Sequence, residues 1–336
     1  MARFGYQVLG FGSSTAGGTT YKVHTFTSDG TFEVSSGGAI DFLIVAGGGG
    51  GGDQNTQGAG GGGAGAMISS DLAAISGGSY TIAAQDWTVT IGAGGAAGDA
   101  NGRPGNGAGG SSIKGTTGET SEIYLGAVYG GGGGGASFNI GSGGTHFGGS
   151  RGGQSGGWGG CGGGNGSSST STWGGRCQRA DADHGHGQTS TEAGYPEDYI
   201  DGTDDPNFLD CGYPGGGNTS GSNKGGGGGG AGGHGEQAGT NASHGENRGG
   251  DGGAPKANAF RTGADVYYSA GGPGQGGGSW HANADHSGSG ASPDNSGYGG
   301  AGNSYGSGTG GSGIVVIRYV DGAVTATGGT ETTYSA

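Results

Sequence analysis

Regular alternation of apolar and polar residues is concentrated at the two ends of the chain. Tyr21 to Thr27 alternates, Ser28-Asp29-Gly30 has the composition of a turn, and Thr31 to Val34 resumes the alternation. This pattern predicts a β-hairpin. The run from Ala39 to Ala46 is almost continuously apolar and stops at six glycines, 47–52. A strand covered on both faces has this composition, so we predict one here.

Further strands are predicted by four short apolar stretches: Ala66–Ser69, Ser79–Ala83, Trp87–Ile91 and Ile123–Tyr129. Comparable patterning returns only at Ile314–Val320. That stretch has no local partner, so we expect it to pair with the N-terminal strands. Helical signals are confined to Ser70–Ile75, which is long enough for one turn. The sequence therefore predicts a mostly β fold.

Glycine dominates the composition, with 102 of 336 residues. Collagen is excluded because the chain has seven prolines and uninterrupted glycine runs instead of a Gly-X-Y period. The runs 47–52, 130–135 and 225–230 could each form a left-handed extended helix of about 19 Å with three residues per turn, the polyglycine II form. Several such helices side by side would make a rigid slab with few side chains.

Charge and hydropathy narrow the range of partners. The formal net charge of −14, with no cluster of Lys and Arg, disfavours nucleic acid. No apolar stretch has the length of a membrane helix, and residues 1–12 lack the features of a signal peptide. We therefore expect a soluble, unprocessed chain without membrane insertion.

Cysteine usage leaves two interpretations open. Cys161 and Cys177 enclose a short Gly/Ser-rich stretch and are the candidate disulfide pair, with Cys211 left over. Reduced thiols in a protein assembled inside a cell fit equally well.

Four motifs, in this order, resemble a known family: Thr25–Val34, Asp41–Gly52, Tyr80–Ile82 with Trp87–Gly95, and Gly311–Tyr319. The chain is similar to the glycine-rich domain of bacteriophage tail fibre and other virion structural proteins. The resemblance implies a small, jelly-roll-like β-sandwich with a long glycine-rich insertion. In related glycine-rich adhesins, host-recognition loops lie between polyglycine helices.

The expected organisation has four parts. They are an N-terminal assembly arm (1–20), a sandwich core (21–135 with 311–320), a glycine-rich insertion with exposed loops (136–310) and a C-terminal tail (321–336).

Both terminal segments carry assembly candidates. In the N-terminal segment the candidates alternate with other residues; they are Phe4, Tyr6, Val8 and Phe11. Such a segment suits addition as an edge strand to the sheet of a neighbouring copy, or it forms a strand of its own domain. The tail, which includes Val324, resembles the lead-in to the next copy in tandem members of the family. Head-to-tail stacking through this tail is a hypothesis.

An acidic stretch offers a candidate metal site. Asp181, Asp183 and Glu192 stand at positions 1, 3 and 12 of a calcium loop, but Gly185 and His186 at positions 5 and 6 exclude an EF-hand. An irregular calcium site and a solvated acidic loop both fit.

Aromatic residues in the glycine-rich region are candidate ligand or receptor contacts: Trp158, Trp173, Tyr195, Tyr199 and Trp280. They could stack on sugars, or they could fill gaps between glycine helices and subunits.

Enzyme signatures are missing from the sequence. There is no G-x-S-x-G elbow between a strand and a helix and no phosphate-binding loop, so we predict no catalytic or cofactor-binding residue. We expect a non-enzymatic structural or adhesive protein of a phage virion, of the fibre or adhesin type. Its partners would be copies of itself, other virion proteins and a host-surface glycan or protein. The alternative is a subunit of a self-assembling extracellular filament or cell-surface coat.

Overall fold

The computed structural model describes residues 18–53, 58–71, 80–98, 108–109, 111–117, 121–128, 130–135, 161–164, 212–213, 215–217, 224–238, 249–275, 292–302 and 308–336. Within these ranges it contains thirteen strands and no helix. The strands are β1 (Thr20–Phe26), β2 (Gly30–Ser36), β3 (Gly38–Val45), β4 (Met67–Ser69), β5 (Tyr80–Ile82), β6 (Asp86–Thr90), β7 (Ser111–Thr117), β8 (Ser121–Val128), β9 (Lys256–Asn258), β10 (Val266–Tyr268), β11 (Ile314–Val320), β12 (Thr325–Thr327) and β13 (Thr330–Ser335).

Most of the strands form two antiparallel sheets. The first sheet has the order β13-β1-β11-β3-β4, with β5 also paired to β3, and the second has the order β12-β2-β6-β7-β8. Strands β9 and β10 form a separate two-stranded sheet. Side chains from both large sheets, such as Phe42 and Ile317 from the first and Phe32 and Trp87 from the second, form one buried hydrophobic core. The mostly β fold is therefore confirmed, with the two sheets packed as a sandwich.

The two most apolar strands lie side by side, as the sequence predicts. Strand β11 pairs with β1 on one side and with β3 on the other, and Val315 stands opposite Ile44. Strand β3 is covered on both faces. Phe42 and Ile44 point into the core between the sheets, whereas Leu43 and Val45 join a second core on the other face of the first sheet.

The predicted hairpin between the first two strands is wrong. Strand β1 belongs to the first sheet and β2 to the second, so the turn after Phe26 carries the chain across the core. Phe26 and Phe32 both enter that core, with ring centroids 6.3 Å apart and nearly perpendicular planes. Burying both rings between two sheets favours this crossing over pairing of the strands within one sheet.

Residues after 320 form strands of the sandwich itself. Strand β12 pairs with β2, and β13 pairs with β1, so this segment is the edge strand of both sheets. Gly328 and Gly329 make the corner between them with φ of 118° and 63°, a conformation that favours glycine. The segment predicted as a tail thus completes its own domain.

The glycine-rich region also contributes to the sandwich. Sequence patterning predicted no strand between residues 130 and 313, but β9 and β10 lie there. Ala231, Phe260 and Tyr268 from this region pack with Val23 and Met67 in the second core. This packing fixes the glycine-rich region against the outer face of the first sheet.

Candidate functional site

Glycine-rich segments continue directly from the strands and hydrogen-bond to one another. We call them the glycine array: 47–53, 58–66, 92–98, 130–135, 161–164, 215–217, 224–238, 249–255, 269–275, 297–302 and 308–313. Most of the array is buried although it has few side chains. Its N–H and C=O groups bond between segments and satisfy one another there.

The bonds of segment 47–52 repeat every three residues. Gly48 and Gly51 donate to the carbonyls of Gly311 and Gly308 (2.9 Å each), Gly49 and Gly52 donate to those of Gly63 and Gly60 (2.8 and 2.9 Å), and the carbonyls of Gly47 and Gly50 accept from Gly131 and Gly134 (2.9 Å each). Residues three apart therefore contact the same neighbour, and adjacent residues contact different neighbours. Neither the two-residue repeat of a strand nor the 3.6-residue repeat of an α-helix gives this pattern.

Segment 60–65 lies inside the array and has six neighbours. Its N–H groups donate in turn to three segments, with Gly60 to Gly135, Gly61 to Gly226 and Gly62 to Gly300, and the same cycle repeats from Gly63 to Gly65. Its carbonyls accept from three others, through Gly49, Gly164 and Gly272 among the donors. The segment is thus enclosed by backbone on all sides.

The close approach of these backbones explains the glycine content. A Cβ atom added at Gly62 would lie within 3.0 Å of the carbonyl groups of Gly49 and Gly50, and one added at Gly51 would meet the carbonyl of Ala301 equally closely. Real Cβ atoms essentially never approach other atoms so closely. The obstacles are backbone atoms, which cannot rotate away as a side chain can. Any larger residue at these positions must separate the segments.

The array has an inner end at the sheets and an outer end away from them. The inner end is marked by Gly47, which comes shortly after the buried end of β3. The outer end is marked by hydrogen bonds between segments that place Gly52 beside Gly60 and Gly60 beside Gly135. The residues that border undescribed stretches at this outer level are Asp53, Gly58, Gly98, Gly135, Gly164, Gly217, Lys224, Ala238, Gly249, Gln275, Gly302 and Gly308. Ala108, Cys161 and Gly212 border three of these stretches nearer the sheets. Segment ends from far apart in the sequence are therefore gathered on one side of the domain.

An arginine in the first sheet fixes the β9–β10 hairpin to the sandwich. The guanidinium of Arg318 donates two bonds to Asp41 Oδ2 (2.9 and 2.7 Å) and one to the hydroxyl of Tyr334 (2.7 Å). It also lies 4.6 Å from the ring centroid of Tyr21 and 4.0 Å from that of Phe260, which follows β9. Cation–π contact and charge-assisted hydrogen bonds thus join β11, β3, β13 and the β9–β10 hairpin.

The one buried histidine among the described residues has a structural environment. His24 is fully buried, its Nε2 lies 2.8 Å from the hydroxyl of Tyr319, and its Nδ1 lies 2.8 Å from the carbonyl oxygen of Gly328. Burial lowers the pKa of His24 below its ordinary value, although the Gly328 carbonyl and the nearby Glu331 act in the opposite direction. Both ring nitrogens are engaged, so this histidine ties β1 to β11 and to the Gly328 corner.

Most of the residues singled out from the sequence lie outside the described ranges. These are the calcium candidates Asp181, Asp183 and Glu192, the contact candidates Trp158, Trp173, Tyr195, Tyr199 and Trp280, the assembly candidates Phe4, Tyr6, Val8 and Phe11, and the disulfide candidate Cys177. Their roles stay predictions. In the described part of the chain, no group of three or more His, Cys, Asp and Glu residues could hold a metal ion.

Two of the predicted residues are described. Val324 is 5% exposed and belongs to the core between the sheets, so its side chain stabilises its own domain and is not presented for contact with another copy. Cys161 is buried in the array, with its Sγ 3.9 Å from the carbonyl oxygen of Gly65. Its pairing with Cys177 stays a prediction.

Sequence reasoning did not find the Arg318 cluster or the bond partners of the array. The cluster joins residues from distant strands, and glycine has no side chain whose pattern could indicate a neighbour. Among the residues placed by the structure, no helix has the length and apolar character needed to cross a membrane.

Comparison with known families supports the resemblance at the level of the domain. The model of a glycine-rich domain family matches residues 25–254, more than half of the chain. The chain therefore belongs to this glycine-rich domain family. A search of curated proteins finds no match.

Proposed function

We propose that this protein is a non-enzymatic adhesive scaffold, a fibre or adhesin-type component of a phage virion. In this proposal the glycine array is a slab of polyglycine II helices that holds recognition loops at its outer end. The sandwich supports the slab and contacts other copies or other virion proteins.

The bonding pattern of the array supports the polyglycine II assignment. This form has three residues per turn, and each segment of the array changes neighbour with each residue and returns to the same neighbour after three. Six surrounding segments, as around 60–65, give every N–H and C=O group a partner in a hexagonal packing. A slab bonded in this way is stiff without a conventional hydrophobic core.

The gathering of segment ends at the outer end of the array carries the functional proposal. Four of the candidate aromatic residues belong to stretches that begin there: Trp173, Tyr195 and Tyr199 follow Gly164, and Trp280 follows Gln275, whereas Trp158 comes shortly before the end of its stretch at Cys161, nearer the sheets. Aromatic side chains supply large contact areas with a polar handle, as a glycan or protein receptor requires. The virion, or alternatively a cell surface, is the location that this role implies.

Binding of the purified, fluorescently labelled protein to a panel of bacterial cells and their isolated surface polysaccharides tests this proposal. We expect saturable binding to some of them, and a loss of at least about tenfold in affinity for the double variant Trp173→Ala/Tyr199→Ala. Tyr267→Ala is the matched control, because Tyr267 is an exposed aromatic residue on β10, at the inner side of the array. Equal losses in both variants, or no binding to any surface, would contradict the proposed role.

The second candidate function is a subunit of a self-assembling extracellular filament or surface coat. The observation that favours it is the exposed edge strand β13 at the side of the first sheet, which would extend a filament if it paired with a different edge of the next copy, because such a heterologous contact does not close. Light scattering together with negative-stain electron microscopy separates the two candidates. Filaments that grow with concentration favour the second, whereas a discrete closed oligomer favours the first.

A further inference from the structure

The two C-terminal edge strands differ in how well they are protected from pairing. Strand β12 has three residues and an irregular register with β2 between Thr325 and Ala326, and such short, bulged edges resist addition of another strand. Strand β13 has six residues in unbroken register with β1, and it contains no lysine, proline or bulge. Among the described residues, no strand pairs with its other side.

The orientation of the free backbone groups follows from one hydrogen bond. The N–H of Ala336 donates to the carbonyl oxygen of Thr19 at 3.1 Å, which continues the register of β13 with β1. Backbone groups of an antiparallel strand point alternately to its two sides. The N–H and C=O groups of Glu331, Thr333 and Ser335 therefore point away from β1, towards the open edge.

We propose that β13 is a homodimer interface at which the same strand of a second copy pairs antiparallel, with the two-fold axis at Thr333. The outward groups of Thr333 then bond to those of the partner's Thr333, and Glu331 stands opposite the partner's Ser335. This register uses all three outward-facing residues of each copy, so six N–H···O bonds close the interface. The inference rests on the proposed structural role, of which assembly with copies of itself is a part.

Charge is compatible with this pairing. Glu331 is the only charged residue of β13, and its Oε2 lies 2.8 Å from Nζ of Lys22 on β1. In the proposed register the two glutamates are four residues apart along the joined strands, about 14 Å. Like charges therefore do not face each other, and the polar Thr and Ser side chains suit a solvent-exposed seam. An interface of this kind is isologous and closes on itself, which distinguishes it from an open filament.

Substitution at Thr333 tests the interface on the full chain. Thr333→Pro removes an outward N–H that β13 does not use within its own domain, whereas Thr333→Val keeps the N–H and the β-branched shape. By sedimentation equilibrium we expect a reversible dimer for the wild type and for Thr333→Val. For Thr333→Pro we expect the dissociation constant to rise by about 100-fold.

Two further measurements keep the test decisive. Circular dichroism checks that Thr333→Pro is folded. If it is not, concentration-dependent amide exchange of the wild type decides, because association should protect the outward amides of 331, 333 and 335. A wild type that stays monomeric throughout the micromolar range, a dimer as tight in Thr333→Pro as in the wild type, or absence of this protection overturns the proposal.

The competing occupant of the edge is the N-terminal arm, residues 1–17. A chain that lacks residues 2–17 should still dimerise, and its conversion to a monomer would overturn the proposal in favour of the arm. Cell binding is measured separately on the same variants. Failure of the wild type to bind cells would refute the adhesive role while leaving the dimer result intact, so the two proposals fail by different measurements.

Discussion

Replacing one interior glycine of the array by alanine tests whether close backbone contact dictates the composition. Gly62 is enclosed by other segments, and the added methyl group of Gly62→Ala would lie within 3.0 Å of backbone atoms of Gly49 and Gly50. Because those atoms belong to a bonded segment, segment 47–52 must move as a unit. The methyl group therefore cannot be accommodated by a change of rotamer.

The expected cost has two parts. Forcing an extra methyl group into a closely packed interior costs about 1–3 kcal/mol. Displacing segment 47–52 also weakens the bonds from Gly49 N–H to Gly63 and from Gly300 N–H to Gly49, both 2.8 Å long, at about 0.5–1.5 kcal/mol each. We therefore expect Gly62→Ala to lower the free energy of unfolding by about 4 kcal/mol, a large part of the stability of a typical domain.

Urea denaturation followed by tryptophan fluorescence and circular dichroism measures this change, provided that both probes give the same transition. Gly233→Ala is the matched control at the periphery of the array, because its added methyl group would meet Ala254 at an ordinary 3.4 Å. We expect this control to stay within about 0.5 kcal/mol of the wild type. A Gly62→Ala protein as stable as the control would refute the argument that close packing requires glycine there.

Three further predictions concern contacts within the sandwich and between the sandwich and the β9–β10 hairpin. Asp41→Asn should lower the free energy of unfolding by about 1–3 kcal/mol because Arg318 loses its charged partner. Lys22→Met, at an exposed ion pair, should change this free energy by less than about 0.5 kcal/mol. Urea midpoints of the two variants check this difference, and equal effects would contradict it. Phe260→Ala should lower the free energy of unfolding by about 3–5 kcal/mol, because the ring fills the second core and covers Arg318. A urea midpoint equal to that of the wild type would show that the β9–β10 hairpin is not anchored by this ring. The pKa of His24 is lowered in the folded protein, so below a pH of about 6.5 the unfolded chain takes up a proton that the folded chain resists, and stability should fall as the pH falls through this range. Thermal melts of His24→Gln should show a shallower dependence on pH than those of the wild type. Identical slopes would argue against a lowered pKa of His24.

The sequence predicts the strands whose side chains carry the core. Ala39–Ala46 and Ile314–Val320 stand out because burial on both faces requires continuous apolar residues, and their pairing follows from the lack of other apolar partners. Strands β7, β12 and β13 are rich in Ser, Thr and Gly and lack an alternating apolar pattern. Thr and Tyr favour strands, but pairing with neighbouring strands is what places these segments in the sheets.

The wrong hairpin shows a limit of local patterns. Alternation on both sides of Ser28-Asp29-Gly30 indicates two strands and a reversal, but it is the same whether the strands share a sheet or face each other across a core. Only the positions of Phe26 and Phe32 in the folded protein distinguish the two. The partners of each array segment and the contacts of Arg318 lie equally beyond local pattern, because they join residues far apart in the chain.

The three-residue cycle of bonds in the array restricts how its segments can change in length. Adding one residue within 60–65 would turn every following N–H towards a different neighbour, whereas adding three would restore each donor to its original neighbour one step further on. Related chains should therefore gain or lose array residues in triplets. Length changes of any size should collect beyond the outer level, where they leave the bonding of the array untouched.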